Sequence, residues 1–121
     1  FSLVYTPFHG TGYQLIPEAL KRLGLKHILC VPEQMVIDGN FPTVVSPNPE
    51  NPEGFALAVE LAKKNRCDLI VGSDPDADRV GVMVRNAQGE SSPATRLVCC
   101  CWTTSLAQRS VLARWVRTPT L

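Results

Sequence analysis

The chain has 121 residues, 45% apolar and 19% charged, and its 12 Lys+Arg against 11 Asp+Glu give a net charge of +1. That size and composition describe one small globular domain, and the balanced charge leaves no footprint for nucleic acid or an anionic membrane surface. No apolar run reaches the roughly 20 residues of a membrane-spanning helix and no basic-then-apolar leader opens the chain, so a cytoplasmic protein is expected.

Phe1-Ser2-Leu3-Val4-Tyr5 reads as a strand from the first residue, which together with the missing initiator Met leads us to expect a fragment. It runs into Thr6-Pro7-Phe8-His9-Gly10-Thr11-Gly12, a glycine-punctuated turn. Leu15, Ile16, Ala19, Leu20 and Leu23 then recur at helical spacing, which predicts an amphipathic helix over 13–23 stopped by Gly24. His27 to Val31 is a second short apolar run, read as a buried strand. From Pro32 to Pro52 stretches a long polar connection with five prolines. Pro52 suits a helix's first turn with Asn51 as its cap, and Phe55, Leu57, Ala58, Leu61 and Ala62 form the apolar stripe up to Asn65.

Asp68-Leu69-Ile70-Val71 is the third strand, and Val80, Val82 and Val84 alternate in a fourth that ends at the turn Asn86-Ala87-Gln88-Gly89. The order β-α-β-α-β-β predicts a three-layer α/β/α domain with a mostly parallel mixed sheet, its chemistry at the carboxyl ends of the strands. The cysteines are lopsided. Cys30 and Cys67 stand apart while Cys99, Cys100 and Cys101 are consecutive, a pattern that suits neither a disulfide framework nor a zinc site and points to a reducing compartment.

Between the third and fourth strands lies Gly72-Ser73-Asp74-Pro75-Asp76-Ala77-Asp78-Arg79. If its three carboxylates converge, each pair about 4 Å apart repels by roughly 4 kcal/mol at an effective dielectric near 20. A divalent cation relieves that repulsion, and oxygen donors without His or Cys point to Mg²⁺ first, with Ca²⁺ or Mn²⁺ open. A solvated acidic turn is the structural alternative. An EF-hand is not, because Arg79 falls where its Gly is required and Arg85 where its bidentate Glu belongs. A phosphatase with an aspartate nucleophile stays open, although Asp78 occupies the position where such a site carries Thr or Val. Arg79 either balances local charge or offers paired donors to a phosphate that shares the cation.

These residues resemble the α-D-phosphohexomutases (phosphoglucomutase/phosphomannomutase), specifically their second domain. Gly72 to Arg79 looks like that family's metal loop, Thr6 to Gly12 like the opening of its second domain, and Phe41-Pro42-Thr43-Val44 with Ser46-Pro47-Asn48-Pro49-Glu50 like its proline-rich loop. Pro32-Glu33-Gln34 is similar to bacterial members. The resemblance implies an intramolecular phosphotransferase that interconverts hexose 1-phosphate and hexose 6-phosphate, glucose phosphates above all, through a phosphoserine and hexose 1,6-bisphosphate. It implies Mg²⁺ on Asp74, Asp76 and Asp78 and places Arg79 beside the phosphate. His9 either points toward the same cleft or is a turn histidine bonded to backbone. The proline-rich loop carries no chemistry in this reading.

The family's phosphoserine and sugar-binding loops belong to other domains, so no catalytic nucleophile is assigned and the isolated chain is expected to be inactive, or simply a cation-binding fragment. Missing neighbours would also leave an exposed apolar flank and poor solubility. Residues 1–90 are read as the domain. Residues 91–121 are read as an atypical tail produced by a frame shift near Glu90 to Ser92, since codons for Cys99-Cys100-Cys101-Trp102-Thr103, read one base earlier, give Leu-Leu-Leu-Asp. The other reading is a divergent native tail with apolar positions at Leu106, Val111, Leu112, Trp115 and Val116.

Overall fold

The computed structural model describes residues 1–85 and 91–93. Strand β1 (Ser2–Thr6) leads through a 3₁₀ turn (Thr11–Tyr13) into helix α1 (Leu15–Arg22) and strand β2 (His27–Cys30). The proline-rich connection includes a 3₁₀ turn at Pro32–Gln34 and ends in another at Pro52–Phe55, which runs straight into helix α2 (Ala56–Asn65). Strands β3 (Leu69–Ser73), β4 (Val80–Arg85) and β5 (Ser91–Pro93) complete the sheet. Its order is β2-β1-β3-β4-β5.

The domain is α/β with a mixed sheet, and parallel pairing is confined to β1 with β2 and β1 with β3. Strands β4 and β5 add antiparallel pairings beyond them. β5 continues the sheet three residues past the boundary drawn at residue 90; the Asn86–Gly89 turn and the cysteine-rich tail lie outside the described residues. The two crossovers leave β1 in opposite directions, one to β2 and the next back past β1 to β3. With right-handed connections that reversal puts α1 and α2 on opposite faces.

The α2 face holds the main core. Val4, Ile70 and Met83 are register partners on adjacent strands and pack with Ala58 and Ala62 of α2. Phe55 closes this core beside the carboxylate-loop end of the sheet, where its ring meets Phe8 edge-on at 5.0 Å and 80°. There is room for that ring because Gly72 and Gly81 lie beneath it: a Cβ on either would fall 2.6 or 2.9 Å from Phe55 carbons.

The opposite face is thinner. Leu3 and Tyr5 are buried on it, but the expected stripe of α1 is largely uncovered, with Leu15 74% and Leu23 80% exposed. Only Pro17 of α1 is fully buried. Helix α1 spans eight residues, shorter than predicted, and Leu23 sits beyond it at the C-cap, where it cannot reach the sheet. Gly24 ends the helix as expected: at φ +97° its N–H bonds the Lys21 carbonyl while that of Leu25 reaches Leu20, the paired C-terminal closure that favours glycine. Asn51 does hold the cap position before Pro52, but its side chain makes no capping bond, because the segment it opens is a 3₁₀ turn satisfied through its backbone carbonyl to the Gly54 N–H. Cys30 and Cys67 are free thiols. No helix among the described residues is long and apolar enough to cross a membrane.

Candidate metal centre

The strand order reverses between β1 and β3, and the chain leaves both strands at the same edge of the sheet. In an open α/β sheet that edge is where a ligand cleft forms. Two loops occupy it: Pro7–Gly10 after β1 and Asp74–Arg79 after β3.

Asp74 directly follows β3 and is fully buried, whereas Asp76 and Asp78 are exposed. Ala77 turns the loop with a left-handed backbone (φ +59°), and its N–H bonds the Asp74 carbonyl at 3.0 Å. This tight turn brings one oxygen from each of Asp74, Asp76 and Asp78 within 4.8 Å of the others. A hard octahedral ion, with metal–oxygen distances near 2.0–2.1 Å, holds its ligands no more than about 4 Å apart, so these oxygens stand near ligand spacing and would draw slightly closer around one.

Arg79 grips Asp74 twice. Its backbone N–H donates to Asp74 Oδ1 at 3.0 Å and its Nε to Oδ2 at 2.8 Å. Nε also lies 3.6 Å from Asp78 Oδ1. Burial opposes ionisation of Asp74, but the two Arg79 donors outweigh it and hold the carboxyl below the usual range. Asp78 is pushed the other way, first by the neighbouring Asp74 carboxyl, then by desolvation and the charges of Asp74 and Asp76. Among the described residues the guanidinium bonds through Nε alone, so its two terminal nitrogens remain available to an anion beside the carboxylates.

His9 is placed differently from a cleft residue. It is buried, with a left-handed backbone (φ +62°), as is Phe8 before it (φ +46°). Its Nδ1 lies 2.8 Å from the Val36 carbonyl and its Nε2 2.8 Å from the Thr43 hydroxyl. Both ring nitrogens are therefore spent on the proline-rich loop, and neither faces the carboxylates. Of the two expectations for His9, the structural one describes its position.

Several residues at this edge were read in the sequence only as parts of family-like segments or strands, with no contact assigned to them. Gln34 is fully buried under the β1 loop. Thr11 donates to the Pro75 carbonyl from its N–H at 2.8 Å and from its hydroxyl at 3.0 Å. Gly10 lies so close that an added Cβ would sit 2.2 Å from Pro75 Cα. Tyr5 reaches under the site to Ser73 Oγ at 2.8 Å. The Gly-Thr-Gly run hints at a close approach, while nothing local marks Gln34.

The family model for phosphoglucomutase/phosphomannomutase, alpha/beta/alpha domain II, matches residues 1–89. The chain belongs to that family. Over 85 residues it is 47% identical to a phosphomannomutase of Mycoplasmoides pirum, an alignment covering 70% of this chain and 16% of that protein. Over 87 residues it is 45% identical to a phosphoglucomutase of Staphylococcus aureus (strain MRSA252), covering 72% and 16%. A crystal structure of a phosphoglucomutase/phosphomannomutase family protein from Burkholderia thailandensis superimposes with a TM-score of 0.62 at 27% identity, over 75% of this chain and 19% of that one. The chain thus spans about a sixth of the length of these curated phosphomutases, within their second domain.

Proposed function

We propose that this chain supplies the metal-holding part of a phosphohexomutase site, in which hexose 1-phosphate and hexose 6-phosphate interconvert through hexose 1,6-bisphosphate and a phosphoserine carried by another domain. The observation that carries this reading is the convergence of three carboxylate oxygens within 4.8 Å at the end of β3, with Arg79 pinned beside them. Asp74, Asp76 and Asp78 hold Mg²⁺, which when bound neutralises charge on the transferring phosphoryl group. Asp74 also orients Arg79 so that the terminal guanidinium nitrogens face the phosphate. A guanidinium suits this because its fork matches two phosphate oxygens.

None of these residues needs to move a proton; they contribute placement and electrostatics. An aspartate-nucleophile phosphatase fits less well. Both Asp74 oxygens accept from Arg79, which draws electron density from the atom that would attack.

A graft tests the proposal. Residues 1–89 replace the matching segment of the Staphylococcus aureus phosphoglucomutase, and conversion of glucose 1-phosphate to glucose 6-phosphate is followed. We expect turnover in the graft and its loss on Asp76→Asn, an exposed change that leaves the fold intact. Equal turnover in the Asp76→Asn graft, or turnover by the 121-residue chain alone, overturns the reading.

A further inference from the structure

We propose that Gln34 and Thr43, on the proline-rich loop, are positioning residues for the carboxylate loop, acting through His9 and Thr11. This inference rests on the metal-holding role proposed above and gives a function to a loop whose sequence alone assigns it no chemistry.

The argument begins with a buried polar chain. Gln34 accepts at Oε1 from the Thr6 hydroxyl, and its Nε2 donates to Thr43 Oγ1 at 3.1 Å and to the Gly54 carbonyl at 3.3 Å. The Val36 carbonyl can only accept, so His9 Nδ1 carries the hydrogen, and Nε2 pairs with the Thr43 hydroxyl. The His9 N–H donates to the Gln34 carbonyl at 2.9 Å. Every donor in this chain has an acceptor, and no buried side-chain polar atom among the described residues lacks a partner. A satisfied buried network of this kind selects a single arrangement, because each broken link strands a polar group away from water.

That arrangement is costly for the backbone it holds. Phe8 and His9 are both left-handed, a conformation that side chains other than glycine resist. The network holds them there, and the consequence appears two residues later. Gly10 is pressed against Pro75, and Thr11 donates twice to the Pro75 carbonyl. Pro75 lies between Asp74, which β3 and Arg79 fix, and Asp76, which is exposed and among the described residues has no other anchor of this kind. Mutual repulsion among the three carboxylates pushes the loop open; the Thr11 clamp opposes it. A loop held in its binding shape before the cation arrives loses less freedom on binding.

The test uses the whole 121-residue chain with Mn²⁺ as the probe, read by the loss of free-ion electron paramagnetic resonance signal. Alongside it, amide hydrogen exchange at Thr11 and Ala77 is measured without metal. Thr43→Val and Thr11→Val remove one hydroxyl each at nearly constant volume, and Thr43→Ser and Thr11→Ser restore it. We expect each Val variant to bind Mn²⁺ about fivefold more weakly, the effect of one hydrogen bond, and to exchange faster at both amides. The Ser variants should return toward the parent in both. Val variants with unchanged affinity and exchange overturn the proposal, as does a loss that Ser fails to rescue. If the parent chain binds no Mn²⁺ while exchange still follows the hydroxyls, the metal reading fails and the clamp stands.

Discussion

Arg79 holds the buried Asp74 carboxylate with both its main chain and its side chain, one oxygen each, at 3.0 and 2.8 Å. The pairing closes the six-residue loop on itself. It also joins the fully buried carboxylate to a guanidinium that is partly open to solvent.

Arg79→Ala should destabilise the domain even without metal. The backbone bond survives, but Oδ2 loses its donor while remaining buried, a penalty of about 1–3 kcal/mol. Urea denaturation measures it. Arg79→Lys should recover part of the loss, since an ammonium can reach one oxygen but not reproduce the fork. A stability for Arg79→Ala equal to the parent would show that Asp74 finds water instead.

Gly10→Ala should be far more damaging than its chemistry suggests. The new methyl would meet the Pro75 backbone at 2.2 Å, and backbone cannot swing aside as a side chain can. Overpacking of this kind costs roughly 1–3 kcal/mol or separates the loops. Gly39→Ala is the control, because nothing lies within 4 Å of its added carbon. Thermal melts of the two variants should differ clearly, and near-identical melting would mean the loops part freely.

Alkaline stability should report on Tyr5. Burial pushes its phenol up from 10.0 to about 12, the Ser73 hydrogen bond pulling weakly the other way and the Cys30 charge adding to the rise. The unfolded chain therefore loses this proton first. Stability contributed by the protonated phenol is complete below pH 10 and declines as pH rises toward 12. Chemical denaturation across that window, compared with Tyr5→Phe, isolates the effect: the parent should lose stability more steeply. Parallel slopes would place the phenol in contact with water.

Much of this architecture is legible in the chain. The order of strands and helices follows apolar periodicity, Gly24 marks a helix end, and the Asp-x-Asp-x-Asp spacing after an apolar strand points to convergent carboxylates. Those signals are local. Periodicity in α1 shows which face is apolar but not whether anything covers it, so Leu15 and Leu23, which the pattern places inside, lie outside. Asn51 suits a cap by type, yet a cap bond depends on the turn that follows. The roles of Gln34, Thr43 and His9 come from contacts between segments 9 to 34 residues apart, which no neighbouring residue foretells.

The parallel register that sets Leu3 beside Leu69 has a temporal side. At the ribosome, with synthesis near 5–20 residues per second, the first strand emerges roughly 3–13 s before the one that completes its second flank. Until then its partner within this sheet is His27–Cys30 alone, and its other hydrogen-bonding edge waits for Leu69–Ser73.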